Sequence, residues 1–146
     1  HELPLQRMNP FRLVVVSPLE RCLTEWRSAC GRLRRFSLPW KRQHWFSSGF
    51  DETRANEIRH RVCARLLHDP IDLPSLRRLH RSHAPKAGAF SLCMHRSEAC
   101  TVSYTEITVR GAMATSYYIA GAPCSKSPRF KASLALDFAR LLRKVA

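Results

Sequence analysis

At 146 residues with 45% hydrophobic content, the chain is long enough to bury a core of ordinary composition, and a chain of this length buries roughly 68–70% of its unfolded surface. One domain over residues 1–146 is the expectation, and the sequence holds no apolar run of about 20 residues to cross a bilayer as a helix. The net charge of +14, with Arg supplying 20 of the 25 basic residues, favours anionic partners, yet the charges are spread from Arg7 to Lys144 rather than gathered into a footprint. Six cysteines in no CxxC or ribbon spacing read as reduced thiols of a cytoplasmic protein. A chain opening on His1 rather than Met reads as part of a longer one.

In chain order, residues 1–10 form a polar loop and residues 11–16 (FRLVVV) a β-branched strand. The next stretch supports two readings. Ser17-Pro18-Leu19-Glu20 has the form of a capping box, and Leu19, Cys22, Leu23, Trp26, Cys30 and Leu33 recur at helical spacing. A hairpin of residues 22–27 and 32–38 turning at 28–31 is equally permitted, with local pattern leaning to helix. Residues 39–49 are an aromatic and basic connector. Asp51 caps a helix whose stripe is Ala55, Ile58, Val62 and Leu66, stopped at Asp69-Pro70. A shorter helix follows over residues 74–81, with Leu73, Leu76 and Leu79 inward.

Residues 89–124 read as a three-stranded meander, the centre of the chain. Alternation predicts strands over 89–95, with Phe90, Leu92 and Met94 on one face, over 100–109, and over 112–120. Ser127-Pro128 then predicts a final helix lined by Phe130, Leu134, Phe138, Leu141, Leu142 and Val145. The fold class is therefore α+β, antiparallel sheet with helices packed on one face.

For chemistry, His80-x-x-His83 with Cys93-x-His95 has the residue types of a zinc site, because Cys93 and His95 share a strand face. The spacing fits no familiar knuckle, so the expectation is no metal and no cofactor. Nucleophile–base pairs drawn from Cys93 with His95, or Ser47 or Ser48 with His44 or His83, lack an anchoring motif, and five unclustered glycines make no phosphate loop. A basic nucleic-acid-binding module would use Arg32, Arg34, Arg35, Trp40, Arg42 and Trp45, guanidinium groups interleaved with rings that stack on bases. Arg77-Arg78-Leu79-His80-Arg81 is a second basic run.

Residues 11–16 (FRLVVV), 44–51 (HWFSSGFD), 90–107 (FSLCMHRSEACTVSYTEI) and 118–124 (YIAGAPC) resemble the C-terminal portion of NRDE-type proteins, the transport-and-Golgi-organisation group, itself similar to N-terminal-nucleophile hydrolases. The resemblance implies part of an αββα sandwich and a hairpin over residues 22–38. It also implies amide-bond hydrolysis or acyl transfer on a small-molecule substrate, with the nucleophile and the Asn-Arg-Asp-Glu signature upstream of His1. Only His95, Arg96, Thr101 and Ser103 would then be cleft positions in this chain. The alternative remains the nucleic-acid module.

Overall fold

A computed structural model describes residues 4–18, 20–48 and 50–137. The fold is α+β, with six strands and two helices among the described residues. It divides into two compact units, His1–His44 and Trp45–Ala146.

The first unit is an antiparallel sheet of β1 (Phe11–Ser17), β2 (Cys22–Ala29) and β3 (Arg32–Leu38), in that order, preceded by a 3-10 turn at Leu5–Arg7. The helix-or-hairpin choice over residues 22–38 is settled as a hairpin. Cys30 and Gly31 carry φ of 50° and 69°, the pair of left-handed residues that matches a two-residue turn to strand twist, and Gly31 reaches it without a Cβ clash. The apolar spacing that leaned to helix lost to a non-local demand. The Val-rich β1 needs a partner for its backbone, and β2 supplies it from Phe11↔Ser28 to Ser17↔Cys22. On β2, Glu25 is 1% exposed, and its carboxylate takes Arg12 at 2.7 Å from β1 and Arg27 at 2.5 Å from its own strand.

The second unit holds α1 (Glu52–Leu66), α2 (Leu73–His80) and a sheet of β4 (Tyr104–Arg110), β5 (Met113–Ile119) and β6 (Arg129–Ala135) in chain order. Asp51 caps α1 as expected, accepting from the Arg54 N–H at 3.0 Å. The face that α1 buries is Ala55, Arg59, Val62 and Cys63, one position round from the predicted stripe because Arg59 is drawn inward. Its guanidinium, 6% exposed as a residue, donates to the carbonyls of Ser47 at 2.8 Å and Ala89 at 3.0 Å. The apolar cluster at the α1–α2 corner is Val62, Cys63, Leu67 and Leu79, with Phe46, Leu66, Ile71, Leu76, Ala84 and Leu92 against it.

A capping box opens α2: the Asp72 carboxylate accepts from the Ser75 N–H at 2.8 Å, and the Ser75 hydroxyl accepts from the Asp72 N–H at 3.3 Å. Ser75 is buried, so Ser75→Ala removes one arm of the box without exposing anything. Thermal unfolding should record a loss of about 1 kcal/mol.

Two strand expectations are corrected. Residues 89–95 are turns, not a strand. The fully buried Ser91 hydroxyl donates to the carbonyls of Gly88 and Cys93, giving the backbone local partners in place of a ladder. The fully buried residues there are Ser91 and Cys93, while Leu92 packs half-buried against the apolar cluster. The predicted C-terminal helix is strand β6 as far as it is described. Phe130 and Leu134, four residues apart, share a side on either a helix or a strand, and β5 pairs them through Tyr118↔Phe130 and Ala114↔Leu134. Phe138, Leu141, Leu142 and Val145 lie outside the described residues. The observed third sheet strand is thus β6, while β4 and β5 match the expected second and third strands to within a few residues at each end.

α2 lies against one face of this sheet. Arg77 forks onto Glu106 with two bonds of 2.8 Å and covers the Tyr117 ring at 5.0 Å, and the His80 ring is 5.2 Å from that of Tyr104. Arg77 holds the Glu106 carboxyl below the usual range, while burial and Glu106 push the Tyr104 phenol up to about 12. The other face exposes Ile107, Val109, Phe130 and Leu134.

Candidate metal centre

Four side chains of the second unit converge on one point: His83, Cys93, His95 and Cys124 each offer a ligand atom, and these atoms lie within 4.8 Å of one another. They come from three stretches that local structure delivers separately. His83 follows the end of α2, where the Ser82 N–H still donates to the Leu79 carbonyl at 3.0 Å. Cys93 and His95 sit on the segment rising out of the Ser91 turn. The Cys93 N–H donates to the Ser82 carbonyl at 3.1 Å, which ties this segment to the first stretch. Cys124 follows Pro123 in the loop between β5 and β6, and the Pro123 carbonyl accepts from Arg81 Nε at 2.9 Å. Every stretch is thus hydrogen-bonded to the last turn of α2 or to the residues just beyond it.

The ligand-atom separations suit a tetrahedral ion. Cys93 Sγ is 3.4 Å from Cys124 Sγ and 3.5 Å from His95 Nε2, which is itself 3.3 Å from Cys124 Sγ. With sulfur at about 2.3 Å and imidazole nitrogen at about 2.0–2.1 Å from zinc, tetrahedral geometry sets ligand atoms about 3.3–3.8 Å apart. The His83 and His95 rings meet edge to face at 5.0 Å between centroids, which brings the fourth ligand in without parallel crowding. Cys93 is fully buried and the other three are exposed. Burial, with the neighbouring Cys124 thiol, pushes the Cys93 thiol up to about 11. Without a cation it therefore stays protonated at neutral pH and is a poor nucleophile, whereas a cation at the shared point would replace its proton.

The four residues expected at a cleft have separate tasks. His95 is a ligand. Arg96 makes a turn, its N–H donating to the Ala99 carbonyl at 2.9 Å, and its guanidinium lies 5.8 Å from the centre of the Phe50 ring. Thr101 holds the facing strand: its hydroxyl accepts from the Met94 N–H at 2.8 Å and its own N–H donates to the Met94 carbonyl at 2.9 Å. That pairing, with the His95↔Cys100 bridge, fixes the direction in which His95 projects. Ser103 is half-buried just before β4.

Of the basic set, Arg32 and Arg34 share one face of β3, whereas Arg35 faces the other way, 5.6 Å from the Trp26 ring. Strand alternation therefore divides these arginines. Trp40 is half exposed and Arg42 exposed in the first unit, and the half-buried Trp45 belongs to the second.

The sequence grouped His80 and His83 with Cys93 and His95 but pointed to no metal; the structure brings His83, Cys93 and His95 together with Cys124 in place of His80. His80 is the last residue of α2 and is taken up by the sheet through Tyr104. Cys124 lies 29 residues beyond His95, so no local spacing rule links them. The signal was the position of Cys124 directly after a strand-ending Pro123, which returns it to the sheet end where β4 begins. Comparison with family models, curated proteins and solved structures finds no match to this chain.

Proposed function

We propose that residues 45–146 are a zinc-organised binding module, with His83, Cys93, His95 and Cys124 as the four ligands of a structural ion. The convergence of four ligand atoms within 4.8 Å, from three stretches of chain, carries this reading. Four protein ligands complete a tetrahedron and leave no position for a reacting water, which favours a structural ion over a catalytic one. The packing supports such a staple: among the described residues the apolar cluster of this unit has four buried members, and the segment carrying Cys93 and His95 is built of turns. A metal there joins α2, the 91–95 segment and the β5–β6 loop in a way the apolar core does not.

The test is the metal content of protein produced with zinc in the medium. One zinc per chain is expected, falling to near zero in Cys124→Ser and His95→Ala and unchanged in Cys30→Ser, whose thiol is exposed in the first unit. Cobalt substituted for zinc should show the intense visible bands of a tetrahedral site and the near-ultraviolet thiolate charge transfer of two Cys ligands. A metal-free wild-type protein that takes up neither ion would sink the reading.

A further inference from the structure

Beside the metal centre, a cleft of about 610 Å³ is lined by Leu66, Pro74, Arg77, Arg78, Arg81 and Ser82. Its charges are not equivalent. Arg77 is neutralised by its fork onto Glu106. Arg81 donates through Nε to the Pro123 carbonyl, which uses one edge of its guanidinium and leaves the Nη pair for a ligand. Arg78 lies three residues earlier on the same helical face, exposed, with Asp72 as an acidic neighbour. Of the three arginines within five residues at the end of α2, Glu106 neutralises Arg77 and Asp72 neighbours Arg78, which leaves Arg81 as the cation with no acidic neighbour among these contacts.

We infer that this cleft binds a phosphate-bearing ligand, with Arg78, Arg81 and Ser82 holding the phosphoryl oxygens and Leu66 and Pro74 meeting the apolar part of the molecule. Two guanidinium groups and a hydroxyl match a dianion with three terminal oxygens better than they match a carboxylate with two. The mixed wall, which combines arginines with the aliphatic Leu66 and Pro74, suits a phosphoryl group attached to an organic body.

The cleft shares its frame with the metal centre. Arg81 is fastened to the residue before Cys124, the Ser82 carbonyl holds the Cys93 N–H, and His83 follows immediately. The inference rests on the zinc-organised reading to this extent only: the ion keeps Arg81 and Ser82 in place, while the phosphate contacts themselves do not involve it.

The experiment is calorimetric titration of the full zinc-loaded chain with phenyl phosphate at low salt, with phenol as the uncharged counterpart and a single-stranded oligonucleotide as a second arm. Phenyl phosphate should bind and phenol should not. Arg78→Ala should bind at least about tenfold more weakly with its zinc content unchanged, as loss of a charge-assisted contact implies. Chelation should weaken binding in the wild type as well. If the oligonucleotide binds more tightly with the same dependence on Arg78, the phosphoryl source is a nucleic-acid backbone; if it does not, the source is a small phosphomonoester. No binding of phenyl phosphate, or equal binding by wild type and Arg78→Ala, would overturn the inference, and with zinc still present it would leave the metal reading intact. Arg78-dependent binding in a chain that holds no zinc would support the cleft and remove the metal reading.

Discussion

Chelation of zinc from the full chain should lower the melting temperature of its metal-dependent transition by roughly 15–30 °C, the largest effect expected for this protein. Free zinc held at about 1,000 times its dissociation constant stabilises the folded state by about 4 kcal/mol. For a folding unit of about 100 residues, each kcal/mol moves the midpoint by about 4–8 °C. Differential scanning calorimetry with and without a chelator measures it, and Cys124→Ser should melt where the chelated wild type does. The pH dependence has opposite signs in the two forms. With metal, the Cys93 proton must leave on binding, so apparent zinc affinity falls about tenfold per unit decrease in pH from that proton alone. Without metal, a thiol raised from 9.0 to about 11 makes the fold less stable as pH rises through that window, since the unfolded chain ionises first. A chelator-insensitive melting curve, or one shared by wild type and Cys124→Ser at every zinc concentration, would refute the ion's structural role.

The second large effect concerns Arg59. Its guanidinium is enclosed at the α1 face and donates to carbonyls on both sides, Ser47 in the connector and Ala89 at the approach to the Ser91 turn. Burial lowers its pKa from the ordinary arginine value, though not far enough to discharge it at neutral pH. Arg59→Met fills similar volume with an apolar chain and leaves both carbonyls without a donor. A charged hydrogen bond contributes about 1.5–3 kcal/mol, so a loss of about 3–5 kcal/mol is expected in urea unfolding. Arg59→Lys, which reaches one carbonyl at a time, should fall between. Since the Ala89 contact lies upstream of the segment bearing Cys93, Arg59→Met should also weaken zinc retention. Unfolding midpoints for both variants within 0.5 M urea of wild type would remove the clamp from the account of this fold.

Both expectations depend on contacts of different legibility. The capped helix at Asp51, the short helix with Leu76 and Leu79 inward, the β-branched strand at Phe11 and the alternating strands at Tyr104 and Met113 are local facts. Each depends on residues within a few positions of one another, where side-chain period and capping chemistry act directly. Three of the four clustered residues were legible for the same reason: Cys93 and His95 are two residues apart and His83 is close by, so residue type and spacing singled them out. Arg59 was not legible. An arginine on a helix reads as solvated, and only the placement of two distant carbonyls makes its burial favourable.

By itself, then, the amino-acid sequence determined the α+β class, the two helices and the Asp51 cap of the first, and the positions of β1, β4 and β5, and it grouped three of the four residues that cluster as His83, Cys93, His95 and Cys124. Tertiary structure alone decided that residues 22–38 fold back as a hairpin and that Phe130 and Leu134 belong to a strand. It also decided that residues 89–95 turn on the Ser91 hydroxyl instead of pairing, and that Cys124 rather than His80 joins His83, Cys93 and His95. The physical reason is common to all four. A spacing of three to four apolar residues, or an alternation of small polar ones, satisfies several local geometries at nearly equal free energy, and the choice falls to whichever backbone groups need partners from elsewhere in the chain.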